Sequence, residues 1–229
     1  MEFRNYAYFL LLLVFFAVPA GITLKRSDGF IGKLKYLLPA MLFSGAIFIL
    51  WDIRFAELGI WNFTSNFVLG ISLKNLPVEE WLFFLVVPFF SVYIYEILKN
   101  RLLRVRQPNI FVVVSLVLLV MYALLAYFFR RNLYTFFTFF LLTIYFGYTI
   151  FRNSFKQNYP GFYLSFLFAV IPFLILRGIL TALPVVTFNT EHILNIHIFS
   201  VPVEDLGYFF LLHLMNITIF EYLRTRQFY

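Results

Sequence analysis

Glu79-Glu80 and Glu204-Asp205 are the residues best equipped for chemistry in this chain. The first pair follows Pro77-Val78 and the second follows Pro202-Val203, 125 positions further on (202 minus 77). Each opens an apolar run, residues 81–98 and 206–223. Aligned without gaps, Phe84, Ile94, Glu96 and Leu98 meet identical residues at Phe209, Ile219, Glu221 and Leu223, and Lys99 meets Arg224. Only 11 of 229 residues are acidic, and a charged side chain at the centre of a bilayer costs about 3 kcal/mol on insertion scales, so acids retained there are functional suspects. Two carboxyl groups in different surroundings are what a general acid and its conjugate base require. A duplicated acid pair at the mouths of two matching helices therefore points to proton transfer.

Helical spacing separates the two acids of each pair. Glu80 shares a stripe with Phe84, Val87, Ser91 and Tyr95, and Asp205 shares one with Phe209, Leu212, Asn216 and Phe220. The polar Ser91 and Asn216 fall at equivalent positions, so this stripe is expected to face the bundle interior. Phe84, Ser91, Phe209 and Asn216 are then the expected substrate-binding residues. Glu79 and Glu204 head neighbouring stripes that are nearly all apolar apart from Tyr208. Which acid of each pair reacts stays open on spacing alone. The same residues also suit a helix start: proline fits the first turn, acids there complement the dipole, and Asn75 and Ser200 are cap-type residues just upstream. A duplication would copy a helix start as faithfully as a site.

The remaining polar residues carry weaker signals. Glu96 and Glu221 lie near Lys99 and Arg224, the spacing of i,i+3 surface pairs. Asp52 and Arg177 occupy equivalent positions with opposite charge, which predicts an ion pair between the halves or, as the alternative, an Arg177 that snorkels to the interface. His213 inside the last apolar run reads as a hydrogen-bonded structural histidine; His192 and His197 in the preceding loop make a poor metal set. With no cysteine there are no disulfides, thiolate metal sites or cysteine nucleophile. G-x-G-x-x-G, P-loop and H-E-x-x-H patterns are missing. No lysine falls within residues 81–98 or 206–223, which argues against a retinal Schiff base. The 15 Tyr and 34 Phe are packing and lipid-facing residues in the main. In a pocket, their faces would stabilise a carbocation.

The elements that position these residues are membrane spans. The chain is 62% hydrophobic and 13% charged, against about 25% charged in soluble domains. Apolar runs near residues 6–24, 36–51, 77–98, 110–129, 133–151, 162–183 and 203–223 approach the roughly 20 residues needed to cross a hydrocarbon core. The fold class expected is an all-α integral membrane protein with seven transmembrane helices. The first run contains Ala17-Val18-Pro19-Ala20 and resembles a signal peptide. Its length and its counterpart at 133–149 argue that it is retained.

The 125-residue offset also lays span one on span five, span two on span six and the long connection after span two on residues 184–201. Span four has no counterpart. A duplicated three-helix unit needs one extra crossing if both copies are to keep one orientation. The expected organisation is a first repeat (1–100), a linker helix (101–131) and a second repeat (132–229), parallel to each other with any shared site between them.

The net charge of +7 does not point to nucleic acid, because the basic residues sit in short loops beside the spans. Of 18 Lys and Arg, twelve fall on one side, five on the other and Arg177 inside a span. That bias predicts an outside amino terminus and a cytoplasmic carboxyl terminus in the cell membrane, with both acid pairs at the non-cytoplasmic face.

The doubled Pro-x-Glu-Glu/Asp, each copy opening a Phe-rich helix that ends in an aromatic-Glu pair (Tyr95-Glu96, Phe220-Glu221), resembles the membrane-integral lycopene cyclases. These include heterodimeric bacterial cyclases, a fused archaeal form and the cyclase region of fungal bifunctional enzymes. The likeness covers essentially the whole chain: spans one to three resemble one subunit of the heterodimeric type, five to seven the other, and span four the fusing helix. It implies a redox-neutral lycopene β-cyclase, an isomerase of carotenoid biosynthesis that turns the acyclic ends of lycopene into β-rings, giving γ- and then β-carotene. An acid protonates the terminal alkene, the next double bond attacks the tertiary cation, and a base removes a ring proton, while an apolar pocket keeps water away. Neither metal nor nicotinamide is demanded, and no cofactor is expected. The unrelated soluble-fold cyclases use a flavin; the missing dinucleotide fingerprint sets this chain apart from them. Glu79 and Glu204 are the first choice for the reacting acids, with Glu80 and Asp205 as partners, and the acid and base roles stay unassigned. Lycopene, membrane lipid and other carotenoid-pathway enzymes are the implied partners.

Two further groups share this likeness: cyclases of longer C50 carotenoids, and hydratases that add water to the same cation. A small transporter or lipid-binding protein is the alternative from another class. The parallel duplication supports it, and the scarcity of intramembrane charge opposes it.

Overall fold

Runs of about 20 apolar residues satisfy their backbone in lipid by closing every N–H and C=O within the segment, as helix. The computed structural model describes residues 3–25, 29–102, 108–152 and 155–226. Among these residues, seven helices are long and apolar enough to cross a membrane: α1 (Ala7–Lys25), α2 (Phe30–Glu57), α3 (Val78–Leu102), α4 (Pro108–Phe128), α5 (Leu133–Phe151), α6 (Tyr159–Ala182) and α7 (Val203–Arg226). The chain is an all-α, multi-pass membrane protein. Hydroxyls within the helices bond back to carbonyls three or four residues earlier, as in Thr23 to Pro19 O (2.8 Å) and Ser91 to Pro88 O (3.2 Å), which satisfies them without water.

The second helix runs six residues past its expected end at 51, so Asp52 lies within helix rather than at its edge. What stops α2 is Gly59 (φ 66°). Its N–H goes to Ala56 O (3.1 Å) and the Ile60 N–H to Phe55 O (3.0 Å), a Schellman closure in which only glycine avoids strain. At α6 the Val185 N–H reaches Leu180 O (2.8 Å) in the same six-to-one fashion.

Short strands cover the end of the bundle where α3 and α7 begin. They are β1 (Trp61–Phe63), β2 (Ser72–Leu73), β3 (Leu76–Pro77), β4 (Val186–Phe188), β5 (His197–Ile198) and β6 (Val201–Pro202). β1 pairs antiparallel with β4, in the register Trp61–Phe188, Asn62–Thr187 and Phe63–Val186. β2–β3 and β5–β6 are hairpins. Lys74 (φ 54°) and Asn75 (φ 62°) form the first hairpin's turn, both left-handed as a type I′ turn requires. The expected capping role of Asn75 and Ser200 is therefore corrected. Asn75 is spent on the turn, and Ser200 donates to Gly178 O (3.0 Å). Both helices instead begin with a backbone bond to the loop, Val78 N–H to Ile71 O and Val203 N–H to Ile196 O, each 2.9 Å.

The helices that carry the acid pairs are the most enclosed. In their most apolar windows, 67% of α3 and 72% of α7 is buried, against 17% for α4. α3 packs on α1, α2, α6 and α7, and α7 packs on α2, α3, α5 and α6. α4 packs on α5 and α6 and turns Val113, Val117 and Val120 outward, as a lipid-facing helix must.

Candidate active site

Position N2 or N3 of a helix puts a carboxylate among unsatisfied backbone N–H groups, and here the first acid of each pair reaches back to the loop before its helix. Glu79 Oε1 accepts the Leu69 N–H at 2.6 Å. Glu204 Oε1 accepts the Leu194 N–H at 2.7 Å and the Thr135 hydroxyl at 2.6 Å. Both acids are fully buried, and Oε2 of each has no hydrogen-bond partner among the described residues.

The second acids turn toward tyrosines. Glu80 Oε2 accepts the Tyr8 hydroxyl at 2.5 Å. Asp205 Oδ1 accepts Tyr134 at 2.6 Å, and its Oδ2 takes Arg177 Nε at 2.8 Å. Asp52 Oδ1 accepts the Tyr208 hydroxyl at 2.7 Å. The predicted Asp52–Arg177 ion pair is thus replaced. Arg177 is drawn to the acid of its own half and lies over the rings of Phe83 (5.7 Å) and Phe188 (5.8 Å).

These groups surround a cavity lined by Asp52, Trp61, Phe63, Glu80, Tyr134, Arg177, Val186 and Tyr208. α2, β1 and α3 supply its walls from one half of the chain; α5, α6, β4 and α7 supply them from the other. Its volume is about 10 Å³, on the order of one water. The end group of a large apolar molecule reaches the acids only when these side chains part. Half of the lining residues are aromatic, with Trp61 and Tyr134 edge-on at 5.1 Å. Such rings favour a cation beside them, and nearby carboxyl groups can give and take protons.

Of the four predicted acids, Glu80 lines the cavity; Asp205 is joined to it through Tyr134 and Arg177. Glu79 and Glu204 hold the loops. The stripe headed by each second acid is buried along its length, as spacing predicts. Phe84, Ser91, Phe209 and Asn216 do not line this cavity. Phe84 packs on Phe48 (5.9 Å) and Phe209 stacks on Phe173 (4.2 Å). Asn216 donates to Leu212 O (2.8 Å), leaving its Oδ1 without a partner among the described residues. His213 bonds Ser165 (2.9 Å).

The i,i+3 expectation for Glu96 and Glu221 is also corrected. Both are buried and pair across the halves, Glu96 with Arg224 (2.7 Å) and Glu221 with Lys99 (2.6 Å) and Tyr95 (3.0 Å), while Lys33 reaches Glu96 from within the first half. The i,i+3 contact of Glu221 with Arg224 is the longer one, at 3.6 Å.

A family model described as lycopene cyclase matches the chain twice, over residues 5–98 and 131–223. The chain belongs to the lycopene cyclase family. No curated protein and no solved structure matches it. As a member of the lycopene cyclase family it is a carotenoid cyclase, and the acids described above fall inside the two matched segments. The segments begin 126 residues apart and end 125 apart, and a one-residue slip of that kind accounts for two residues the gapless alignment missed. Tyr8 and Tyr134, which hold Glu80 and Asp205, are 126 apart and fall out of frame in it.

Proposed function

We propose that the chain is a lycopene β-cyclase that works without a cofactor, built as two parallel three-helix repeats joined by α4, with its acid pairs at the non-cytoplasmic face of the cell membrane. The observation that carries this reading is the buried carboxyl group of Glu80 on an aromatic-walled cavity between the halves. A proton passes from a carboxylic acid to the terminal alkene carbon of lycopene. The resulting tertiary cation is attacked by the π pair of the next alkene, which closes the ring. A ring C–H pair then becomes the ring double bond as its proton leaves to a carboxylate. One proton enters and one leaves, so no oxidant or reductant is needed. Rings of Trp61, Tyr134 and Tyr208 stabilise the cation, and the closed, largely apolar surroundings keep water from adding to it.

In this reading the four acids divide the work. Glu80 exchanges protons with the substrate, Asp205 fixes Tyr134 and Arg177 beside it, and Glu79 and Glu204 hold the loops over the site. The test is expression in a lycopene-accumulating bacterium followed by pigment analysis, with a C50-accumulating host in parallel. Conversion of lycopene to γ- and β-carotene is expected. A strain that stays red with the protein inserted in its membrane rejects lycopene cyclisation. Conversion confined to the C50 host moves the substrate to the longer carotenoids, and a hydroxylated acyclic product moves the reaction to hydration.

A further inference from the structure

Cyclisation consumes a proton at one carbon and releases one at another, an exchange that a donor and an acceptor on two sides of the end group can share. We propose that the second proton-exchanging group is Asp52, acting across the cavity from Glu80 with Tyr208 as its positioning residue, and that the chain has one reaction centre rather than two. The inference rests on the cyclase reading given above.

Occupancy of the carboxyl oxygens, taken with position on the cavity wall, singles Asp52 out; Glu79 and Glu204 also keep an unpartnered Oε2 among the described residues but do not line the cavity. Among the described residues, Asp205 has both oxygens engaged, by Tyr134 and by Arg177. Glu80 has only Oε2 engaged, by Tyr8, and Asp52 only Oδ1, by Tyr208. Both line the cavity, so each keeps one oxygen for something other than the protein. The space between them is about that of one water, which suits the return of a proton from acceptor to donor between turnovers.

The counterparts of this arrangement explain why there is one centre. Asp52, Tyr208 and Glu80 correspond, 125 positions away, to Arg177, Phe83 and Asp205. In that second set the acid at position 52 has become a cation, which ties up the acid it would have worked with, and the tyrosine has become a phenylalanine that Arg177 covers. One copy keeps a free acid pair; the other has been neutralised. The two ends of a long polyene are then cyclised in succession.

Asp52→Asn retains an oxygen for the Tyr208 hydroxyl but can neither give nor take a proton. Assayed in membranes with lycopene and normalised to inserted protein, it is expected to lose at least about 100-fold in ring formation, the scale of a lost general acid or base. Asp52→Glu is expected to recover part of that. A role confined to holding Tyr208 predicts near-full activity for the asparagine variant, and that result overturns the inference while leaving the cyclase reading intact. If Asp52→Asn does not accumulate, the wild-type time course decides. One centre requires free monocyclic carotene first and the bicyclic product after a lag, whereas bicyclic product without any free monocyclic species overturns it. Wild-type membranes that leave lycopene untouched overturn the underlying reading and this inference with it.

Discussion

Arg177 gives its Nε to Asp205 at 2.8 Å, and Asp52, its counterpart 125 positions earlier, is left to the hydroxyl of Tyr208 at 2.7 Å. All four side chains are buried. Removing one partner of a buried ion pair strands the other, at a cost of about 3–5 kcal/mol, while replacing both by apolar groups is often close to neutral. Arg177→Met is therefore expected to lower the unfolding free energy of the detergent-solubilised protein by that amount, and Arg177→Met with Asp205→Leu to restore most of it. Exchanging the charges of Asp52 and Arg177 is expected to rescue nothing, because they are not each other's partners.

At the opposite end of α3 and α7 the charges cross between halves, Glu96 to Arg224 and Lys99 to Glu221. Arg224 is 29% exposed while Glu96 is 4% exposed, so water screens the pair partly. A double-mutant cycle with Glu96→Gln and Arg224→Gln is expected to return a coupling of about 1–2 kcal/mol, between exposed and buried pairs. A coupling indistinguishable from zero shows that each charge is satisfied within its own half.

Seven spans and the burial of the Glu80 and Asp205 stripes were legible because lipid imposes length and helical period on every crossing segment. Partnership was not. Asp52 and Arg177 have matched positions and opposite charges, yet a salt bridge depends on where side chains end, and α6 delivers Arg177 to the acid at the start of α7. Glu96 and Lys99 have ideal i,i+3 spacing, yet the packing of α3 on α7 offers each a partner from the other half. The cavity itself is assembled from seven elements, and no local pattern announces such a place. Tyr8 and Tyr134 were readable in principle, by allowing one gap in the alignment.

Gly207 of α7 packs against α5. A Cβ built there lies 3.0 Å from Thr138 Cγ2 and from Phe139 Cε1, and small residues at such crossings let helices approach in membranes. Gly207→Ala is expected to push α5 and α7 apart at a cost of about 1–3 kcal/mol, the scale of overpacking, seen as a lower melting temperature in detergent. Gly147→Ala is the control. The nearest atom there is a leucine methyl at 3.6 Å, an ordinary contact, so its melting temperature is expected to change little.

Glu204 offers a test of the loops over the site that is independent of catalysis. Its Oε1 receives both the Leu194 N–H and the Thr135 hydroxyl, tying the loop before α7 to the first turn of α5. Glu204→Gln keeps a carbonyl oxygen for these donors, whereas Glu204→Ala leaves the buried amide without an acceptor. Hydrogen bonds to charged groups contribute about 1.5–3 kcal/mol, or roughly 10- to 100-fold in an opening equilibrium. Exchange of the Leu194 amide in deuterated buffer is therefore expected to accelerate by that factor in the alanine variant and by much less in the glutamine one. Glu79→Ala should do the same at Leu69, whose N–H it accepts at 2.6 Å. Exchange at both amides unchanged from wild type in the alanine variants shows that backbone pairing holds the loops without these acids, and that Glu79 and Glu204 are free for another role.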